Sequence, residues 1–120
     1  MIKDGDLVIT YRLSELNAGE EICYKQDGKV KFGRIVAKAG EEIDINDSYV
    51  KVNGYGVTED VVYPTTSEGA LVSFPYVVKE GSVFVLNDFR NDIEDSRTYG
   101  AVSLDDCEGK VVLVLRRRGI

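Results

Sequence analysis

The amino-acid sequence predicts a mostly β protein. Val, Ile and Thr, whose branched side chains suit a pleated sheet, make up 30 of the 120 residues. Two dipeptides, Asp27-Gly28 and Asn53-Gly54, lie between extended segments and are typical of type I′ hairpin turns, in which both central residues need a positive φ. No segment carries the i, i+3, i+4, i+7 apolar stripe of an amphipathic helix.

Short apolar or alternating segments bounded by Gly, Pro, Asn, Asp or Ser predict the individual strands. In chain order these strands are residues 7–11, 21–25, 30–36, 43–45, 49–52, 61–63, 71–74, 83–86 and 110–115. Residues 83–86 are apolar enough to be buried on both faces. Residues 103–108 form the single predicted helical turn, which Ser103 would cap. We therefore expect a core formed by residues 1–46 and 78–120, with a small inserted β lobe at 47–77.

Composition and charge exclude several classes of function. The chain has no histidine, which excludes Ser-His and Cys-His catalysis and histidine-ligated metal sites. The net charge of −6 and the isoelectric point near 4.7 disfavour binding to nucleic acid. Cys23 and Cys107 are too few for a four-thiolate zinc site; both alternatives, a disulfide and two free buried thiols, remain open. No apolar run reaches the ~20 residues of a membrane span.

The richest polar segment, residues 87–97, directly follows the apolar strand 83–86. Its carboxylates, Asp88, Asp92, Glu94 and Asp95, could be calcium ligands. The spacing is poor for this, because Arg90 stands at a would-be ligand position and no glycine provides the sharp turn of an EF-hand loop. The preferred interpretation is a loop held by carboxylate–guanidinium pairs, with no metal and no cofactor.

This segment and its flanks resemble the last conserved box of type I signal peptidases, V-P-x-G-x-x-F-V-x-G-D-N-R-x-x-S-x-D-S-R-x-(aromatic)-G. The matching residues are Glu80, Gly81, Phe84, Val85, Asp88, Arg90, Asp95, Ser96, Arg97 and Gly100. Further segments resemble other family boxes in the same order: residues 4–8, 19–22, 32–41, 49–54 and 106–110. The resemblance covers nearly the whole chain and implies the antiparallel β fold of signal peptidases (the S26 family).

Two departures from the family pattern concern its catalytic residues. The family uses a serine nucleophile and a lysine general base, whose pKa is lowered by burial so that it can take the serine proton. Aligned on Arg34-Ile35-Val36, the lysine position is Gly33. The family serine that hydrogen-bonds this lysine falls on Ile93, and the nucleophile would lie before Met1. Lys31 could replace the base, although it is displaced by two residues, about 6.5 Å along the strand.

The resemblance also implies structural links and a groove. Arg34 should pair with Asp88, and Asp95 with Arg97 or a neighbouring arginine. An extended peptide would add a strand beside Lys31, Phe32 and Gly33, with the strand of residues 2–9, including Leu7, on the other side. Phe32 should then be partly exposed in a concave surface, and Ile93 should fill the space beside Gly33 that the lysine stem occupies in the family.

The implied function is non-catalytic. Gram-positive pilus gene clusters encode signal-peptidase-like proteins that lack catalytic residues and are needed for pilin polymerisation by sortase, and this sequence resembles that group, in particular the streptococcal SipA type. We expect a pilus-assembly chaperone-like factor with pilin subunits or other assembly proteins as partners, held on the extracytoplasmic face of the cell membrane by an N-terminal anchor outside this chain. The alternatives are an active signal peptidase with an unusual base and a plain interaction module without a peptide groove.

Overall fold

The computed structural model describes residues 7–10, 16–46, 49–56 and 64–113, and within them it shows two antiparallel sheets. The strands are β1 (Leu7–Thr10), β2 (Glu21–Gln26), β3 (Lys29–Lys38), β4 (Glu42–Asn46), β5 (Tyr49–Val52), β6 (Tyr55–Gly56), β7 (Tyr76–Val77), β8 (Ser82–Leu86), β9 (Val102–Ser103) and β10 (Cys107–Leu113). A one-turn helix, α1 (Ser96–Tyr99), and a 3₁₀ turn (Leu104–Asp106) complete the elements. The predicted mostly β class is confirmed.

The larger sheet has six strands in the order β1-β10-β2-β3-β8-β9, and the smaller one has four in the order β6-β5-β4-β7. Both predicted hairpin turns are present. Asp27 and Gly28 have φ values of 52° and 76°, and Asn53 and Gly54 have 52° and 85°. The first turn fixes the register of β2 against β3, so that Ile22 lies opposite Gly33 and Tyr24 opposite Lys31.

Two apolar clusters hold the sheets together, and β3 and β8 contribute to both. A bulge between Ile35 and Ala37 changes the direction of the side chains along β3. Ile35 consequently packs in the first cluster with Ile22, Tyr24 and Val85, whereas Ala37 packs in the second with the smaller sheet. All five residues of β8 are buried, as predicted for residues 83–86.

Several sequence predictions need correction. The sequence does not predict α1, whose first two residues end the polar run of residues 87–97. Asp95 caps this helix by accepting a hydrogen bond from the Arg97 backbone N–H. The predicted helical turn at 103–108 is the shorter 3₁₀ turn, with Ser103 as its cap. Residues 71–74 are not a strand, and β7 follows them instead. The predicted strand at 61–63 lies outside the described residues.

The smaller sheet begins with β4, earlier than the predicted lobe boundary at residue 47. Its apolar cluster is shared with β3 and β8 of the larger sheet. The division of the chain into domains stays a prediction. Among the described residues no helix is long and apolar enough to cross a membrane.

The thiols of Cys23 and Cys107 are both free and buried. Cys107 lies opposite Tyr24 and packs in the same cluster, while Cys23 lies opposite Gly109. Successive residues of a strand face opposite sides of the sheet, so Cys23 and Tyr24 point to different faces. Of the two alternatives that the sequence left open, the structure has free thiols.

Candidate functional site

The polar loop after β8, residues 87–95, is fixed to β3 by the first of the two predicted ion pairs. Arg34 Nε and Nη2 each donate to one oxygen of the Asp88 carboxylate, both at 2.7 Å. Arg34 Nη1 also donates to the Gly19 carbonyl oxygen at 2.8 Å. The hydrogen bond from Arg34 lowers the pKa of Asp88 below its usual value. This two-pronged contact positions the start of the loop against the middle of β3.

The second predicted pair, Asp95 with Arg97, is fully buried. Arg97 Nη2 donates to Asp95 Oδ2 at 2.7 Å, and Arg97 Nε donates to Asp95 Oδ1 at 3.0 Å. The remaining guanidinium donors reach the carbonyl oxygens of Thr66, Arg90 and Asp92. A buried charge of this kind is tolerated only when its partners are complete, and here they are. Arg97 therefore ties the loop to the segment between β6 and β7.

Gly33, which the resemblance places at the family lysine position, is tightly packed. A β-carbon placed on Gly33 would lie 3.3 Å from Tyr24 Cε1 and 3.3 Å from Val85 Cβ. Both neighbours are buried, and the Tyr24 side chain has no exposure. A separation this short is tighter than ordinary carbon–carbon contact, so the Tyr24 ring and Val85 would have to shift by a few tenths of an ångström to admit a side chain at Gly33.

Ile93, which the sequence predicts to lie beside Gly33, does not supply the atoms nearest to that position. The three atoms nearest to a β-carbon at Gly33 belong to Tyr24 and Val85, whereas Ile93 Cδ1 lies 3.1 Å from a β-carbon placed on Gly69. Ile93 is partly exposed and packs against the turn at Gly69 instead of the lysine position. The side chain that occupies the space beside Gly33 is Tyr24, an aromatic ring wide enough to bridge from β2 towards β8.

Tyr24, Tyr99, Lys31 and Glu94 form a connected cluster at this place, which we call the tyrosine cluster. The Tyr24 and Tyr99 hydroxyls are hydrogen-bonded to each other. Lys31 Nζ donates to the Glu94 carbonyl oxygen at 2.8 Å and lies 5.5 Å from the centre of the Tyr99 ring, within cation–π range. Burial, chiefly, raises the pKa values of both Tyr24 and Tyr99 above the ordinary value for tyrosine.

The alternative general base, Lys31, has surroundings unlike those that the family mechanism needs. Its side chain is 24% exposed, and its ammonium also lies 3.6 Å from the Glu94 carboxylate. A lysine general base must be neutral and is made so by an apolar pocket. Lys31 instead meets a carbonyl oxygen, a carboxylate and solvent, which are partners for a charged ammonium.

One edge of β3 is open over Lys29–Gly33. These residues pair with β2 on one side, while β8 pairs with β3 only from Arg34 onward, and no other strand of the described residues takes the open side. The Ile35 N–H donates to the Glu20 carbonyl on the β2 side. Because the backbone groups of successive residues alternate in direction, those of Val30 and Phe32 point to the open edge.

The predicted groove residues divide between this edge and a distant one. Lys31, Phe32 and Gly33 all lie on the open edge, and Phe32 is 41% exposed beside Val30, which is 54% exposed. Phe32 is therefore partly exposed, as predicted, although it does not line the neighbouring cavity. Leu7 lies in β1, and β10 and β2 separate β1 from β3. The role of Leu7 in lining the other side of the groove stays a prediction, and residues 2–6 lie outside the described part of the chain.

Sequence reasoning missed Tyr24 and Tyr99 as site residues. The signal for Tyr24 was present: a two-residue turn at Asp27-Gly28 sets the register that places Tyr24 opposite Lys31 and diagonal to Gly33. Tyr99 had no such local signal, because it reaches Tyr24 through the folding of the polar loop.

A family model described as signal peptidase, peptidase S26, matches residues 2–116. The chain belongs to the signal peptidase S26 family. It is 29% identical over 97 residues to signal peptidase I of Aquifex aeolicus (strain VF5), a match that covers 78% of this chain and 34% of that protein. It is 35% identical over 80 residues to the chloroplastic thylakoidal processing peptidase 1 of Arabidopsis thaliana, covering 66% of this chain and 22% of that protein.

A solved structure agrees with these sequence matches. The crystal structure of a signal peptidase I from Enterococcus faecalis V583 superposes with a TM-score of 0.68 at 25% identity, over 80% of this chain and 96% of that one. The chain thus spans about a third and a fifth of the lengths of the two curated relatives that it matches.

Proposed function

We propose that this chain is a catalytically inactive member of the signal peptidase S26 family that binds an extended peptide and acts as a chaperone-like factor in sortase-dependent pilus polymerisation. The observation that carries the proposal is the glycine at the position that the resemblance assigns to the family lysine. Gly33 supplies no base, and the buried Tyr24 ring lies 3.3 Å from a β-carbon placed there, so this position is tightly packed.

Loss of the base does not remove the means of binding a peptide. The open edge of β3 offers the backbone groups of Val30 and Phe32 to an added strand, which is the β-augmentation mode of recognition. The exposed Val30 and Phe32 side chains would contact apolar side chains of that strand. Backbone hydrogen bonds would supply affinity, and these side chains would supply selectivity.

The partner and location follow from the resemblance to inactive pilus-associated members of the family. The proposed partners are pilin subunits or other pilus-assembly proteins. The proposed location is the extracytoplasmic face of a Gram-positive cell membrane, with an N-terminal anchor in the parent protein. An inactive peptidase domain that still binds extended peptides would hold a pilin segment without cleaving it.

The absence of peptidase activity is tested with the full-length parent protein and a signal-peptide substrate. We expect no cleavage product. The matched comparison is Lys31→Ala, because Lys31 is the alternative base in the described part of the chain. Cleavage by the unmodified protein that Lys31→Ala abolishes would establish an active signal peptidase and overturn the proposal.

The role in pilus assembly is tested by complementing a deletion strain and following pilin polymers on immunoblots. We expect Phe32→Asp to abolish polymerisation, because it places a charge on the open edge. Val77→Asp is the matched control, since Val77 is 59% exposed in the smaller sheet. Equal polymerisation by both variants, with both proteins present at the membrane, would contradict a role for this edge.

A further inference from the structure

A cavity of about 220 Å³ lies beside the open edge of β3, on the same side of the sheet as Lys31. The β2–β3 turn forms one wall and the segment around Glu94 and Tyr99 forms the other. Lys29 and Lys31 contribute ammonium groups to the lining, and Asp27 and Glu94 contribute carboxylates. The Lys31 side chain is 24% exposed, whereas that of Glu94 is 76% exposed. Of the two charged groups in the tyrosine cluster, Lys31 is therefore the more enclosed.

The two contacts that Lys31 makes with Glu94 differ in strength. The hydrogen bond to the Glu94 carbonyl oxygen, at 2.8 Å, belongs to the backbone of the polar loop. The ion pair with the Glu94 carboxylate is longer, at 3.6 Å, and that side chain is 76% exposed. An ion pair with so exposed a partner is weak, because water and salt screen it. The Glu94 carboxylate can therefore leave Lys31 without disturbing the backbone contact.

A strand added to the open edge would place one side chain over this cavity. Residues directly opposite each other in neighbouring strands have side chains on the same face of the sheet. The residue opposite Lys31 would consequently point towards the cavity, and its two neighbours would point towards the exposed Val30 and Phe32 on the other face.

We propose that the cavity is a side-chain pocket for an aspartate or glutamate of the docked strand. In the free protein, the Glu94 carboxylate occupies the position of that incoming carboxylate. The incoming carboxylate takes the position of the Glu94 carboxylate on Lys31. This inference rests on the proposed peptide-binding function and adds to it the class of peptide: extended, with an acidic residue flanked on both sides by apolar residues.

The test compares two capped peptides, TVEVT and TVQVT, by NMR titration of the isotope-labelled full chain. We expect shifts at Lys29–Gly33 with both, and about tenfold tighter binding of the glutamate peptide, because an ionised acceptor makes the stronger hydrogen bond. Glu94→Gln should tighten binding of the glutamate peptide by several-fold, because it removes the internal competitor. Lys31→Met should abolish the preference.

Lys25→Met is the matched control, because Lys25 lies opposite Val30 and so faces away from the cavity. It should leave the preference unchanged, and amide spectra of all variants establish that they are folded. Equal binding of both peptides at the open edge overturns the acidic pocket and leaves the peptide-binding proposal standing. Binding of neither peptide overturns both.

Discussion

Restoring the family lysine should destabilise this protein, and Tyr24 should be the reason. Gly33→Lys adds a β-carbon 3.3 Å from both Tyr24 Cε1 and Val85 Cβ, closer than ordinary carbon–carbon contact. The φ value of Gly33 is not in the left-handed region, so the backbone itself accepts a side chain. The cost therefore comes from packing and from the buried amine.

The expected size follows from these two contributions. Overpacking a well-filled core costs about 1–3 kcal/mol, and burying an amine without a full set of partners costs about 1–3 kcal/mol more. Replacing the glycine also lowers the conformational entropy of the unfolded chain, which offsets about 0.4–1 kcal/mol of this cost. We expect Gly33→Lys to lower the free energy of unfolding by about 2–5 kcal/mol, measured by urea denaturation followed by far-UV circular dichroism.

Two double-mutant cycles identify the side chain responsible. Tyr24→Ala opens the space that the lysine stem needs, so Gly33→Lys should cost about 1–3 kcal/mol less in that background. Ile93→Ser should combine additively with Gly33→Lys, within about 0.5 kcal/mol, because Ile93 packs at Gly69. Rescue by Ile93→Ser together with additivity of Tyr24→Ala would refute this reasoning. It would show that Ile93, and not Tyr24, occupies the space that a lysine side chain at position 33 needs.

Three further predictions concern buried groups. Asp95→Asn should cost about 3–5 kcal/mol in chemical denaturation, because it leaves the buried Arg97 guanidinium without its counter-charge; a loss below 1 kcal/mol would contradict this. Cys23 and Cys107 should react with Ellman's reagent slowly in the native protein and at once in urea, because burial raises both thiol pKa values, that of Cys107 to about 11. Stability should fall as the pH rises above 10, because burial raises the pKa of Tyr99 in the folded state and the unfolded state loses its proton first; Tyr99→Phe should reduce this slope, and an unchanged slope would count against it.

The sequence by itself determined the features that depend on neighbours along the chain or on charge. The Asp27-Gly28 turn needs two positive φ values, and that local requirement fixes the register of β2 against β3. The apolar run of β8 could only be buried. The pairings of Asp88 with Arg34 and of Asp95 with Arg97 followed from the family resemblance and from the need for counter-charge in an acidic loop.

Tertiary structure decided which side chain occupies the gap beside Gly33 and which strands border the open edge. Tyr24 lies in this gap because its ring spans from β2 towards β8. Its hydroxyl is hydrogen-bonded to the hydroxyl of Tyr99, which lies 75 residues further along the chain. Ile93 packs against Gly69 because the buried Arg97 sets the path of the loop. At the far side of the sheet, β1 pairs with β10. Packing across strands and loops depends on the joint fit of distant side chains, and no local pattern in the sequence encodes that fit.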